Sequence, residues 1–230
     1  MSSATITTSA RLINSTPQTE EQAMVRKVAV SSFLGNFIEW FDYASYSYFA
    51  TTIALVFFPT DNHTVAMLQT FGVFALSFIL RPIGALFWGS YGDKKGRKAA
   101  LAHSIMFMSG ASFLIGCLPS YSVIGVGAPI LLLLLRMVQG FSASGEYAGA
   151  ATFLGEYAPT SKRGIYCSLI PASTAIGLLA GSTLATLMTA NMNSSAMVGW
   201  GWRVPFLLAG PLGLIVLYIR AKLADSPVYQ

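Results

Sequence analysis

The chain has 230 residues, 54% hydrophobic and 10% charged, which is too little charge to cover a soluble surface and excludes a soluble enzyme. The net charge of +5 needs no nucleic-acid partner, because basic residues beside apolar spans set membrane orientation. At ~20 residues per crossing the length accommodates about six helices in one polytopic membrane domain.

Residues Met1 to Gln22 are polar, rich in Ser and Thr, and lack the apolar core of a secretory signal. An uncleaved, disordered cytoplasmic tail over 1–25 is the expectation, with the membrane domain at 26–222 and the start of a cytoplasmic central loop at 223–230. Arg26 and Lys27 open the first span, about Val28 to Phe58. In its middle, Gly35 to Tyr46 reads GNFIEWFDYASY and puts Glu39 and Asp42 on one helical face, with Asn36 one turn earlier and Tyr43 and Tyr46 beyond. Counted from Val28 at ~1.5 Å per residue, Glu39 lies roughly 16 Å deep in a ~30 Å hydrocarbon layer. Carboxylates at that depth are rare, face protein or water, and mark a substrate or proton path. The plainer alternative is an ion pair that only fastens two helices.

Pro59 to Thr64 makes a short outer loop, and His63 within it reads as solvated. The second span, about Val65 to Gly89, carries Arg81 and Pro82 late in its course, where an arginine can snorkel and a proline can bend the helix. The densest charge run follows, Gly89 to Lys98 (GSYGDKKGRK). Its glycines permit sharp turns between packed spans, Asp93 can offer a carboxylate to a helix N-terminus, and the cations hold the loop inside.

The third span, about Ala99 to Leu118, contains His103, read as an interfacial histidine outside the mechanism. The fourth, from Val123 to about Tyr157, carries Arg136, Gln139 and Glu146. Arg136 stands at a depth comparable with Glu39 and Asp42, so one arginine opposite two carboxylates is the expected pairing. Gly145 and Gly149 form a GxxxG spacing that permits close helix approach. Lys162 and Arg163 mark a second inner loop. The fifth span, about Ile165 to Ala190, should bend at Pro171 and pack tightly through Gly177 and Gly181. Trp200 and Trp202 suit an outer interface, and a sixth span from Arg203 to Ile219 leads to Arg220, Lys222 and Asp225 at an inner C-terminus.

Of the 14 Lys and Arg residues, this topology puts only Arg203 outside and only Arg81 and Arg136 within spans, so both termini are expected in the cytoplasm. Cys117 and Cys167 then lie near opposite surfaces and should not pair. No P-loop, HExxH or paired CxxC occurs, and Gly140 to Ser144 (GFSAS) misses the GxSxG elbow at its last position. No catalysis, cofactor or metal site is expected.

GNFIEWFDY, RPIGALFWGSYGDKKGRK, LLLRMVQGFSASGEYAGA, APTSKRG, WGWRVPF and LADSPVYQ, in this order, resemble the metabolite:proton symporters of the major facilitator superfamily. The resemblance covers nearly everything after residue 25 and corresponds to the amino-terminal half of that fold. It implies an all-α membrane protein with six transmembrane helices in two inverted three-helix repeats, set in a bacterial inner membrane. It further implies proton-coupled transport of proline, betaine, α-ketoglutarate, citrate or shikimate-like metabolites. Gly89, Asp93, Gly96, Arg97 and Lys98 map onto its cytoplasmic gate. Asn36, Glu39, Asp42, Tyr43, Arg136, Gln139 and Glu146 become the candidates for proton coupling and substrate contact. Family members have twelve spans, and the substrate site lies between two halves. The expected partners are therefore lipid, protons, a small-molecule substrate, and a second six-helix half or a homodimer mate. A fragment, a split transporter and a self-dimerising unit stand in that order, and the rival from another class is a non-transporting six-helix fragment or assembly partner. Arg136 would suit a carboxylate, and the rings of Trp40, Phe41, Tyr43, Tyr46 and Tyr48 would suit a quaternary ammonium, which favours an osmolyte slightly.

Overall fold

The computed structural model describes residues 3–223, with side chains from residue 22 onward. All regular structure among them is helical: α1 (Ser3–Tyr48), α2 (Ala50–Phe57), α3 (His63–Ile79), α4 (Arg81–Lys95), α5 (Arg97–Cys117), α6 (Tyr121–Ile124), α7 (Gly127–Ala143), α8 (Glu146–Tyr157), α9 (Arg163–Cys167), α10 (Leu169–Asn191), α11 (Ser194–Ala196) and α12 (Arg203–Ala221). A 3₁₀ turn at Thr160–Lys162 precedes α9, and a π turn at Met197–Gly201 precedes α12.

Five helical units are long and apolar enough to cross a membrane: His63–Lys95, Arg97–Cys117, Gly127–Tyr157, Thr160–Asn191 and Ser194–Ala221. The first expected span, α1 with α2, completes the six but is less apolar, because Asn36, Glu39 and Asp42 interrupt it. One expectation needs correction. The leader read as a disordered tail has helical backbone from Ser3, since a long span helix supplies the nucleus and its extension needs only propagation. Residues 224–230, expected to begin a central loop, lie outside the described residues.

Prolines decide where several spans break. Pro82 has no N–H to give the Phe78 carbonyl, and the second span divides at Leu80, one residue before Arg81. Pro171 likewise has nothing to give Cys167, so the bend expected in the fifth span falls at Ser168, between α9 and α10. The fourth span is interrupted at Ser144 and Gly145, immediately before Glu146.

Glycines decide how closely the helices approach. A Cβ on Gly177 would lie 2.7 Å from the Phe37 carbonyl oxygen and one on Gly181 2.6 Å from the Ala44 Cβ, so α10 lies tightly against α1 as the spacing predicts. In the GxxxG pair, Gly145 leaves room for Trp88 and Gly149 for Leu101. The tightest crossing is at Gly140, whose added Cβ would sit 1.9 Å from the Ser77 carbonyl oxygen of α3. Backbone cannot move aside as a side-chain tip can. Gly140→Ala is therefore expected to destabilise the bundle by about 1–3 kcal/mol, read from denaturant titration in micelles. An unchanged midpoint would mean that α3 and α7 are free to separate.

The apolar core forms three clusters. One, at the end of the α2–α3 turn, joins Tyr46, Phe57, Leu132, Trp202 and Phe206. A second, at the opposite end, joins Val28, Leu101, Phe153, Leu154 and Ile170. Between them Ile38, Ile105, Met108, Ala209 and Val216 make a smaller group. Trp202 belongs to the first cluster and is fully buried against Phe57 and Phe206, so only Trp200 has the exposure expected of an interfacial tryptophan. Leu68, Leu86 and Leu214 are each more than two-thirds exposed, an arrangement that suits lipid rather than water. Both cysteines are free.

Candidate functional site

Within two turns of α1 lie Asn36, Glu39, Asp42 and Tyr43, all buried. Asn36 faces α10, where its Nδ2 donates to the Ile170 carbonyl at 3.0 Å and to the Ser173 and Thr174 hydroxyls at 2.8 Å each. It docks two helices and is not brought to the arginine of the fourth span.

Asp42 and Arg136 form a closed unit. The Arg136 Nη1 donates to Asp42 Oδ2 at 2.8 Å, and the Gln139 Nε2 reaches both Asp42 Oδ1 at 3.1 Å and the Ser112 hydroxyl of α5 at 2.5 Å. The guanidinium also lies 3.7 Å from the centroid of the Tyr46 ring, whose hydroxyl donates to the Thr70 carbonyl. Arg136 is wholly buried and the Asp42 side chain nearly so, which leaves this pair almost closed.

Glu39 does not share that arginine. It is bonded to Arg81 at the start of α4, which also donates to the Tyr43 hydroxyl at 2.6 Å and lies 5.0 and 4.9 Å from the Tyr43 and Phe78 ring centroids. The expectation of one arginine facing two carboxylates is thus corrected. Residues three apart on a helix diverge by about 60°, enough for Glu39 to face α4 while Asp42 faces α7. Arg81 retains 26% side-chain exposure, against 0% for Arg136.

Glu146 has a third arginine. Arg220, expected at an open inner terminus, is buried near the end of α12 and grips both Glu146 carboxylate oxygens. The same guanidinium donates to the Leu101 and Ser31 carbonyls, and Ser104 donates to Glu146 Oε2 at 3.2 Å. Gly35 makes this possible, because a Cβ there would fall 2.0 Å from Glu146 Oε1. Four helices, α1, α5, α8 and α12, meet at this pair.

The predicted gate is simpler than its glycine pattern suggests. α4 runs unbroken through Gly89 and Gly92 to Lys95, so the sharp turn falls on Gly96 alone, at φ 93° and ψ 146°. Asp93 caps no helix and instead pairs with Arg97, one turn on, at 3.0 Å. Lys98 follows in the first turn of α5. Among the described residues no group of three or more His, Cys, Asp or Glu is placed to hold a metal ion.

Arg81, Arg220, Ser104 and Ser112 are the site residues that sequence reasoning missed. Charge parity was the available signal: Glu39, Asp42 and Glu146 inside spans call for three cations, and Arg136 supplies one. Arg81 was also the remaining arginine in the interior of an apolar run.

This bundle of membrane-length helices, with the first, second, fourth and sixth expected spans tied by buried ion pairs, has the architecture of half a major facilitator fold. The XylE proton:xylose symporter, described as a major facilitator superfamily protein, superposes with a TM-score of 0.80 at 16% identity, over 91% of this chain and 46% of XylE. A partially occluded, inward-open XylE from E. coli also gives 0.80, at 18% identity over 90% of this chain and 51% of that one. At this identity the likeness concerns the fold. Residues 27–230 match the family described as Sugar (and other) transporter, and the chain belongs to it. A proline/betaine transporter of Salmonella typhimurium is 42% identical over 91% of this chain. A glycine betaine/proline/ectoine/pipecolic acid transporter, OusA of Dickeya dadantii, is equally similar at 42% over 91%. The chain spans 42% of the length of both relatives.

Proposed function

We propose that this chain is a six-span half of a proton-coupled symporter for a small polar metabolite, of the osmolyte type carried by its proline/betaine relatives, acting with a second six-helix half or a second copy of itself. The observation that carries the reading is the placement of two carboxylates in the middle of the first span, Glu39 and Asp42, each bonded to an arginine of a different neighbouring span. Bonds of this kind can be released by a proton, and only a group whose proton affinity differs between two conformations can couple a gradient to movement. The metabolite would cross chemically unchanged. The proposed setting is a bacterial inner membrane with both termini in the cytoplasm, 26–222 forming the membrane domain. Sequence excess of Lys and Arg on that side supports the orientation. The test is uptake of labelled proline, glycine betaine, α-ketoglutarate and shikimate into vesicles containing the chain, with and without an inward proton gradient. Uptake that ignores the gradient would refute symport. Asn36 and the Glu146–Arg220 pair favour a second reading for those residues alone, namely helix docking.

The gate residues Gly89, Asp93, Gly96, Arg97 and Lys98 are proposed to act on turnover rather than on affinity. Asp93 has 66% side-chain exposure, and an exposed i,i+4 pair contributes only about 0.3–0.5 kcal/mol. Asp93→Asn and Arg97→Gln should therefore leave stability within that margin and lower the maximal uptake rate with little change in half-saturation. A pure affinity defect would count against the gate.

A further inference from the structure

Of the three buried carboxylate–arginine pairs, two are sealed and one is not. Arg136 and Arg220 have side-chain exposures of 0% and 2%, and each is held by contacts from several helices. Arg81 has 26% and stands beside Tyr43 and Phe78, which stack on each other and both meet Phe74 edge to face. Its partner is incompletely used as well. Glu39 Oε2 is buried without a hydrogen-bond partner in the chain, as is the Arg81 Nε. One oxygen of Glu39 holds Arg81, and the other is free to take a proton.

We propose that Arg81 is the docking point for the carboxylate of the transported metabolite, and that Glu39 is the intramolecular carboxylate that occupies it until a proton arrives. This rests on the symport reading above and assigns its parts. The exchange balances. A proton adds to the Glu39 carboxylate, which becomes neutral and loosens its hold on Arg81. The substrate carboxylate then takes the place of Glu39 on the guanidinium, and Arg81 never stands unpaired in the span. One proton accompanies one carboxylate because a buried arginine holds one counter-anion at a time. A cationic nitrogen on the same substrate would lie against Phe78, the exposed ring of this group, since aromatic rings attract quaternary ammonium groups. The ligand class is accordingly a small zwitterion or monocarboxylate.

The charged surroundings of Glu39 are consistent with this assignment. Arg81 of α4 faces it directly, Asp42 and Tyr43 flank it on α1, and Glu146 of α8 lies near enough to repel its charge while itself paired to Arg220 of α12. Arg136 of α7 is committed to Asp42, and α10 on the other side of α1 carries no ionisable side chain.

The experiment is equilibrium binding of labelled glycine betaine and of choline, which lacks the carboxylate, to the chain in lipid nanodiscs at mildly acidic and mildly alkaline pH. The wild type should bind glycine betaine more tightly at acidic pH and show no such preference for choline. Glu39→Gln, which resembles the protonated residue, should bind glycine betaine at the acidic-pH affinity at both pH values. Arg81→Gln should lose roughly 10- to 100-fold in glycine betaine affinity and discriminate poorly against choline, with Arg81→Lys between the two. Should Arg81→Gln fail to insert, Glu39→Gln and Arg81→Lys carry the comparison. Equal glycine betaine affinity in the wild type and Arg81→Lys or Arg81→Gln, weaker binding by Glu39→Gln, or no binding by any form would each overturn the assignment. Gradient-driven uptake persisting beside such a result would leave symport standing, so failure of this assignment and failure of symport are told apart.

Discussion

Replacing Arg220 by alanine is expected to destabilise the bundle by about 3–5 kcal/mol, the largest stability effect of any single change considered, because it leaves the Glu146 carboxylate buried without its cation. Both side chains are almost completely enclosed, at 2% and 1% exposure, and the guanidinium also satisfies the Leu101 and Ser31 carbonyls. Ser104 alone would remain on the acid. Glu146→Gln should cost nearly as much, since it strands the arginine instead. The double replacement Glu146→Leu with Arg220→Met removes both charges and should recover most of the loss, as buried pairs exchanged for apolar residues often do. Denaturant titration of the four forms in micelles would measure this. A cost below about 1 kcal/mol for either single change would show that water or lipid headgroups reach the pair, and that the four helices do not depend on it.

Asp42→Asn is expected to abolish proton-driven uptake while the protein still inserts. Asparagine matches the size of aspartate and can keep the bond to Gln139, but it cannot release or accept the proton, and it removes the charge that Arg136 faces at 2.8 Å. Exchange of labelled for unlabelled substrate across the vesicle membrane, which requires no net proton release, should survive better than net uptake. Glu39→Gln should show the same split between exchange and net uptake. Its partner Arg81 is partly exposed, so it should disturb insertion less than the sealed Asp42 position does. Parallel assays of net uptake against pH, of exchange, and of membrane insertion separate these effects. Normal pH-dependent uptake by both variants would remove the two carboxylates from the coupling mechanism.

The two outcomes bear on different parts of the same helix bundle. Glu146 and Asp42 both read as intramembrane carboxylates in the sequence, with nothing to mark one as a fastener and the other as a coupling group. Their surroundings differ in the folded chain. Glu146 is gripped through both oxygens and roofed by Gly35, a geometry that resists change. Asp42 shares its acceptors between an arginine and a glutamine that itself leans on Ser112, and two nitrogens of Arg136 have no partner in the chain. Such incomplete satisfaction leaves room for a second arrangement.

Much of the architecture was legible from residues alone. Apolar runs located the spans, turn residues and cations located the charged loops between them, and the Gly177/Gly181 spacing foretold the close seat of α10 on α1. The sharp turn of the gate was placed in the right loop but spread over too many glycines. A glycine in a helix and a glycine at positive φ look identical in a sequence, and of Gly89, Gly92 and Gly96 only Gly96 has the latter. Trp202 was assigned to the interface on residue type, yet the π turn before α12 turns it inward onto Phe57.

By itself the sequence determined the membrane class, the approximate extent of the spans and the presence of charges that need partners, because hydropathy and charge belong to the run of residues and to nothing beyond it. Which arginine answers which carboxylate was decided only by the tertiary structure. Pairing depends on the azimuth of each helix and on breaks one residue long, such as that at Leu80 before Arg81, and about 60° of rotation about α1 separates the arginine of α4 from the arginine of α7.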